Sequence, residues 1–180
     1  MKKIKLIAIG LVLLSLLTSI LLFAFIENYN RSDVGRNNSN LIQEFDKTGD
    51  SSKCNEIVQL PMGMKFYDSL FNAVFALIVV SLIAVVIMYL FEIGRMGNRE
   101  RLMLAMAMIL ALVTPFIFIL FSFYASLIIA GISIFLFSML KISLSDKFIF
   151  IFSPYLTFLS YWIFIGSWYN IESLFKCFVS

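Results

Sequence analysis

The stretch LMLAMAMILALVTPFIFILFSFYASLIIAGISIFLFSML, Leu102–Leu140, runs for 39 residues without one charged side chain. About 20 apolar residues wound as a helix cover the ~30 Å hydrocarbon core of a bilayer, so this stretch suffices for two crossings. Three further stretches are equally free of charge: Leu6–Ile26, Ser69–Phe91 and Phe148–Asn170. Together they predict an all-α, polytopic helical membrane bundle of five transmembrane helices. The expected spans are 5–26, 69–91, 102–122, 124–140 and 148–168, with an external loop over 27–68, all within one membrane domain of residues 1–180. If only four spans crossed, the C-terminal end would lie on the cytoplasmic side instead.

Composition agrees with a lipid solvent. The chain is 61% hydrophobic and 14% charged, with 20 Phe in 180 residues, against a soluble norm of roughly 45–50% and 25%. A net charge of +3 is too small and dispersed to point to direct nucleic-acid binding. The absence of histidine removes the usual general base and the commonest transition-metal ligand. No GxSxG, HExxH, phosphate-binding glycine loop or carboxylate pair within a span occurs. The expectation is therefore a protein with no catalytic residue, no metal and no cofactor.

Lys2, Lys3 and Lys5 precede the first apolar run, which holds 21 residues and ends Phe23-Ala24-Phe25-Ile26. A signal peptide has an apolar core of only ~7–15 residues and a small-residue cleavage site, so an uncleaved signal anchor is expected. Short cytoplasmic loops carry excess Lys and Arg. With the N-terminus inside, Lys2, Lys3, Lys5, Arg95, Arg99, Arg101, Lys141 and Lys147 all fall on the cytoplasmic side, eight of the 14 basic residues. The segment Glu27–Asp68 holds five basic and seven acidic residues and falls outside. Its Asn/Ser/Asp/Gly-rich part, Asn28–Asn40, reads as flexible loop. Leu41–Phe45 reads as one short amphipathic turn and Lys47–Lys53 as loop again. About forty such residues cannot bury much of a core alone. Five spans put Cys54 and Cys177 on one side, which is oxidising in a bacterial periplasm, and a Cys54–Cys177 disulfide is the corresponding hypothesis.

Several patterns within the spans are candidates for contact. Ser153, Thr157, Ser160 and Ser167 share a helical face, as do Ser126, Ala130 and Ser133, and as do Asn72, Ala73 and Ala76. Small and hydroxyl residues let helices approach closely, so these faces serve packing within the chain or between protomers. The Ser153–Thr157–Ser160 face also suits a pore lining. Met96, Met103, Met106 and Met108 suit irregular helix packing. Thr114-Pro115 predicts a broken backbone bond, with the threonine re-satisfying the freed carbonyl. Tyr161 and Trp162 are expected to find polar partners inside the bundle, with Trp168 and Tyr169 in an interfacial belt. The loop Glu92–Arg101 presents Arg95, Arg99 and Arg101 to lipid phosphates or an acidic partner.

Size, a basic N-terminal anchor, several spans and no visible chemistry make the chain similar to the small integral-membrane subunits of bacterial antiphage systems, such as the membrane component of Kiwa. That resemblance is one of architecture and transfers no residue role. It implies a multi-pass protein of the bacterial inner membrane that works in antiviral defence beside a cytoplasmic effector. The expected function is a non-enzymatic, oligomeric membrane subunit coupling a membrane event to a cytoplasmic protein, with the lipid bilayer and further copies of itself as partners. The alternatives are a holin-like or small-channel pore-former and a membrane immunity or exclusion protein.

Overall fold

The computed structural model describes residues 2–49, 52–57, 64–120 and 123–179, except for the side chains of 2, 64, 115–120, 123, 170 and 172–179. All regular structure among the described residues is helical: α1 Lys2–Arg31, α2 Asp33–Thr48, α3 Ser52–Asn55, α4 Met64–Ile93, α5 Asn98–Leu120, α6 Phe123–Met139 and α7 Leu144–Val179. Among the described residues, the five apolar stretches are helical except for Leu140. Three segments are each long and apolar enough to cross a bilayer: Lys3–Arg31, Lys65–Ile93 and Leu144–Tyr169. The apolar part of α6, Tyr124–Met139, is shorter. The expected reversal near Ser122 lies partly outside the described residues.

Helices α1, α4 and α7 extend past the expected span limits into polar sequence. A backbone leaving hydrocarbon gains by keeping its internal hydrogen bonds, so a charged residue does not by itself end a helix. The outward faces of these helices are apolar. Leu6, Leu13, Leu17 and Leu21 on α1, Val80, Ile83 and Ile87 on α4, and Phe148 and Phe152 on α7 are all exposed. Water would not tolerate so many exposed large apolar side chains, whereas lipid tails solvate them.

The chain divides into two compact units. The first comprises residues 1–16 and 78–159. Its core is built from Ala8 and Val12 of α1, Val85, Met88 and Tyr89 of α4, Leu104, Ala107 and Ala111 of α5, Phe137 of α6 and Phe150 of α7. Met96 is buried, Met103 and Met108 pack against this core, and Met106 faces outward. Helices α5 and α6 pack closely, and the buried Ser133 hydroxyl of α6 donates to the Ala107 carbonyl of α5 at 3.0 Å. Thr114 donates to the Leu110 carbonyl at 2.7 Å. The carbonyl that a proline at 115 leaves without a donor belongs to Ala111, so the expected rescue by Thr114 is not made.

The second unit comprises residues 17–77 and 160–180. It is held largely by aromatic contacts. Phe71 meets Phe164 and Trp168 edge-on, with ring centroids 5.6 and 5.1 Å apart, and Phe25 lies 5.9 Å from Tyr67. Tyr161 and Trp162 are exposed, which corrects their expected place inside the bundle. The face Asn72, Ala73 and Ala76 is also exposed; Phe71 and Val74 are the buried positions on that turn of α4. On this turn of α4 the bulkier residues face inward.

The largest departure from expectation is α2. Asn28–Asn40 is helical apart from Ser32, and Leu41–Phe45 is part of a 16-residue helix. Ser32 caps it, its Oγ accepting from the Gly35 N–H at 3.1 Å. Gly49 ends it in the left-handed conformation, φ +68°, and its N–H donates to the Phe45 carbonyl at 2.8 Å. Both are strong terminators. Gly35, Asn38 and Ile42 are buried at helical spacing, and the Asn38 amide donates to the Tyr29 hydroxyl at 2.7 Å. Polar composition disguised an amphipathic helix whose inward face needs only a few residues.

Candidate functional site

Lys5 lies one turn into α1, where its amine enters the interior of the first unit. Only 8% of Lys5 and 8% of Glu92 are exposed. The Lys5 Nζ is 2.7 Å from Asp146 Oδ1 of α7 and 3.5 Å from Glu92 Oε2 of α4. On another side it stands over the Phe150 ring, 5.1 Å from the centroid. One ammonium is thus shared between two carboxylates on different helices, with an aromatic face beneath it. The sharing is unequal: Asp146 takes the short hydrogen bond, whereas Glu92 Oε2 is buried without a hydrogen-bond partner. With all three ionised, the cluster carries one net negative charge.

Asp146 is held in place by the start of α7. Its N–H donates to the Ser143 hydroxyl at 3.2 Å, and the Ser143 and Ser145 hydroxyls lie 3.0 Å apart. A carboxylate in the first helical turn also suits the helix dipole. Glu92 ends α4 one turn beyond Tyr89, whose buried hydroxyl donates to the Phe150 carbonyl of α7. That carbonyl is the one Pro154 leaves without an intrahelical donor, because proline has no N–H four residues on. Tyr89 therefore supplies from α4 the bond that α7 cannot make for itself.

The expected contact residues fall into three groups. Arg95, Arg99 and Arg101 lie in or next to the turn between α4 and α5, and all three are exposed. Arg101 has local work: its Nε donates to the Met96 carbonyl at 2.6 Å and its Nη2 to the Gly94 carbonyl at 3.2 Å. It closes the turn, while Arg95 and Arg99 present charge outward. Ser153, Thr157 and Ser160 are buried on α7. The Ser153 hydroxyl donates to the Ile149 carbonyl and Thr157 to the Ser153 carbonyl, so both bond back to their own helix. Cys54 is buried, while the side chain of Cys177 lies outside the described residues.

Sequence reasoning missed the Lys5–Glu92–Asp146 cluster. Lys5 belonged to an orientation signal, and the two acids stood at helix ends. The available sign was that two apolar runs each carry an acid beside an end on the basic side, Glu92 after Phe91 and Asp146 before Phe148. No protein-family model, curated protein or solved structure matches this chain.

Proposed function

We propose that this chain is a non-enzymatic, multi-pass inner-membrane subunit of a bacterial defence system, which oligomerises and couples a change in the bilayer to a cytoplasmic protein. The observation that carries the reading is the buried ammonium of Lys5, bonded to Asp146 and paired with Glu92. Those acids begin or border the two basic connections, Glu92–Arg101 and Lys141–Lys147. The cluster therefore ties the N-terminal helix to both segments that would face a cytoplasmic effector.

In this reading the N-terminus is cytoplasmic, five helices cross the bilayer, and residues 27–68, with α2 and α3 among them, lie outside as a cap. A Cys54–Cys177 disulfide joins the cap to the C-terminal end of α7. One packing of the helices keeps Lys5 between its acids; the other separates them and moves the arginine turn. A stimulus shifts the balance only by its differential free energy in the two packings. Separating the pair leaves buried charge uncompensated, which favours the packing that keeps Lys5 between its acids.

Affinity purification of the membrane-embedded chain from its native host tests the docking surface. Arg95→Glu with Arg99→Glu, leaving Arg101 to hold the turn, is expected to lose a cytoplasmic polypeptide that the unaltered chain retains. Identical captured sets would refute docking at this turn. Alkylation of unreduced membranes should label neither cysteine; two labelled thiols would dispose of the disulfide.

A further inference from the structure

We infer that the first unit holds a specific phospholipid with an amino headgroup, seated between α1 and α7. Two adjoining hollows form the site. The polar one, about 520 Å3, is lined by Lys5, Ser143, Ser145 and Asp146 together with Ile9 and Ile149. The second, about 220 Å3, shares Ile9 and Ile149 and continues along Val12, Leu13, Phe152 and Leu156. Charge and hydroxyls cluster at one end and aliphatic and aromatic carbon fills the other, which is the pattern of an amphiphile. The one hydroxyl in the apolar part, Ser153, already donates to its own helix at the Ile149 carbonyl. An acyl chain meets no polar group left wanting there.

The charge of the cluster selects the headgroup. The charged lining of the polar hollow is one cation, Lys5, and one anion, Asp146, with Glu92 also paired to Lys5. A purely anionic headgroup, such as glycerol phosphate, would match Lys5 but set like charge against Asp146. A phosphoethanolamine headgroup brings its own ammonium. The ammonium donates to Asp146, and the phosphate accepts from Lys5 and from the Ser143 and Ser145 hydroxyls. Each is a charge-assisted bond of the kind that discriminates strongly in a poorly hydrated site. A trimethylated choline headgroup has no N–H to donate and loses that contact. The site is independent of the arginine turn, so loss of partner docking leaves this inference standing.

Native mass spectrometry of the whole protein tests it, released from nanodiscs containing equal parts palmitoyl-oleoyl phosphatidylethanolamine, phosphatidylglycerol and phosphatidylcholine. Phosphatidylethanolamine is expected as the dominant retained adduct, favoured by about tenfold over the other two. Asp146→Asn should abolish the preference. Leu13→Trp, at an exposed position that fills the acyl hollow, should remove the adduct while circular dichroism shows unchanged helix content. Should Asp146→Asn fail to fold, Leu13→Trp decides alone. Equal retention of the three lipids, or a Leu13→Trp protein that keeps its phosphatidylethanolamine, would mean annular lipid only and would overturn the site.

Discussion

The two compact units solve the same problem with different forces. The first places a lysine, a glutamate and an aspartate from three helices in one buried cluster. The second relies on Phe71, Phe164 and Trp168 meeting edge to face, on a neutral hydrogen bond between Asn38 and Tyr29, and on more exposed ion pairs such as Lys53 with Glu44. Aromatic packing is short-ranged and indifferent to charge. An ion cluster in a low dielectric is strong when complete and costly when incomplete. The buried charge of the first unit therefore makes it the more sensitive to a change of charge, and the aromatic contacts make the second the more sensitive to a change of shape.

The sharpest way to break this contrast is Lys5→Met. It leaves two carboxylates facing each other without a counter-ion and is expected to destabilise the protein by about 3–5 kcal/mol. Thermal unfolding in nanodiscs, followed by tryptophan fluorescence, measures it. Adding Glu92→Gln and Asp146→Asn to Lys5→Met should restore most of the loss; a triple variant as unstable as the single one would show that packing, not charge, is at stake.

Gly35→Ala probes the second unit by shape. A Cβ there would sit 2.1 Å from the Tyr29 carbonyl oxygen, so α2 must shift relative to the end of α1. We expect a cost of about 1–3 kcal/mol and loss of hydrogen-exchange protection across residues 33–48. Gly10, with open space around its Cβ position, is the matched control, and Gly10→Ala in the interior of α1 should stabilise by up to about 1 kcal/mol.

A smaller effect separates hydrogen bonding from packing in the first unit. Tyr89→Phe should cost about 1 kcal/mol. In a Pro154→Ala background the Phe150 carbonyl regains a backbone donor, so the same substitution should cost much less there. A double-mutant cycle with no coupling would contradict the assigned role of Tyr89. Smallest of all, Arg99→Ala should change stability by no more than about 0.5 kcal/mol, whereas Arg101→Ala should exceed it by losing two bonds to the turn.

Periodicity and charge made most of the fold legible. The uncharged runs mark α1, α4, α5, α6 and α7 because lipid demands continuous apolar helix. The helix α2 was hidden because Asn, Ser and Asp favour loops as a class, and only the positions of Ser32, Gly35, Asn38, Ile42 and Gly49 betray it. The ion cluster was hidden for another reason. Lys5 and Asp146 are 141 residues apart, and pairing at such separation is a property of helix arrangement, not of any local pattern. The hydroxyl face of α7 was readable, since Ser153, Thr157, Ser160 and Ser167 recur at the helical period. The proline inside that helix and the tyrosine that answers it were not.

The bond from Tyr89 to the Phe150 carbonyl has a mechanical meaning. Where a helix lacks one rung it bends most easily, and here the missing rung is supplied from outside. Bending or straightening α7 at Pro154 strains a tether to α4 whose next turn carries Glu92. Flexure of one transmembrane rod and loosening of the salt cluster are thus not separate degrees of freedom: the hinge is leashed to the lock.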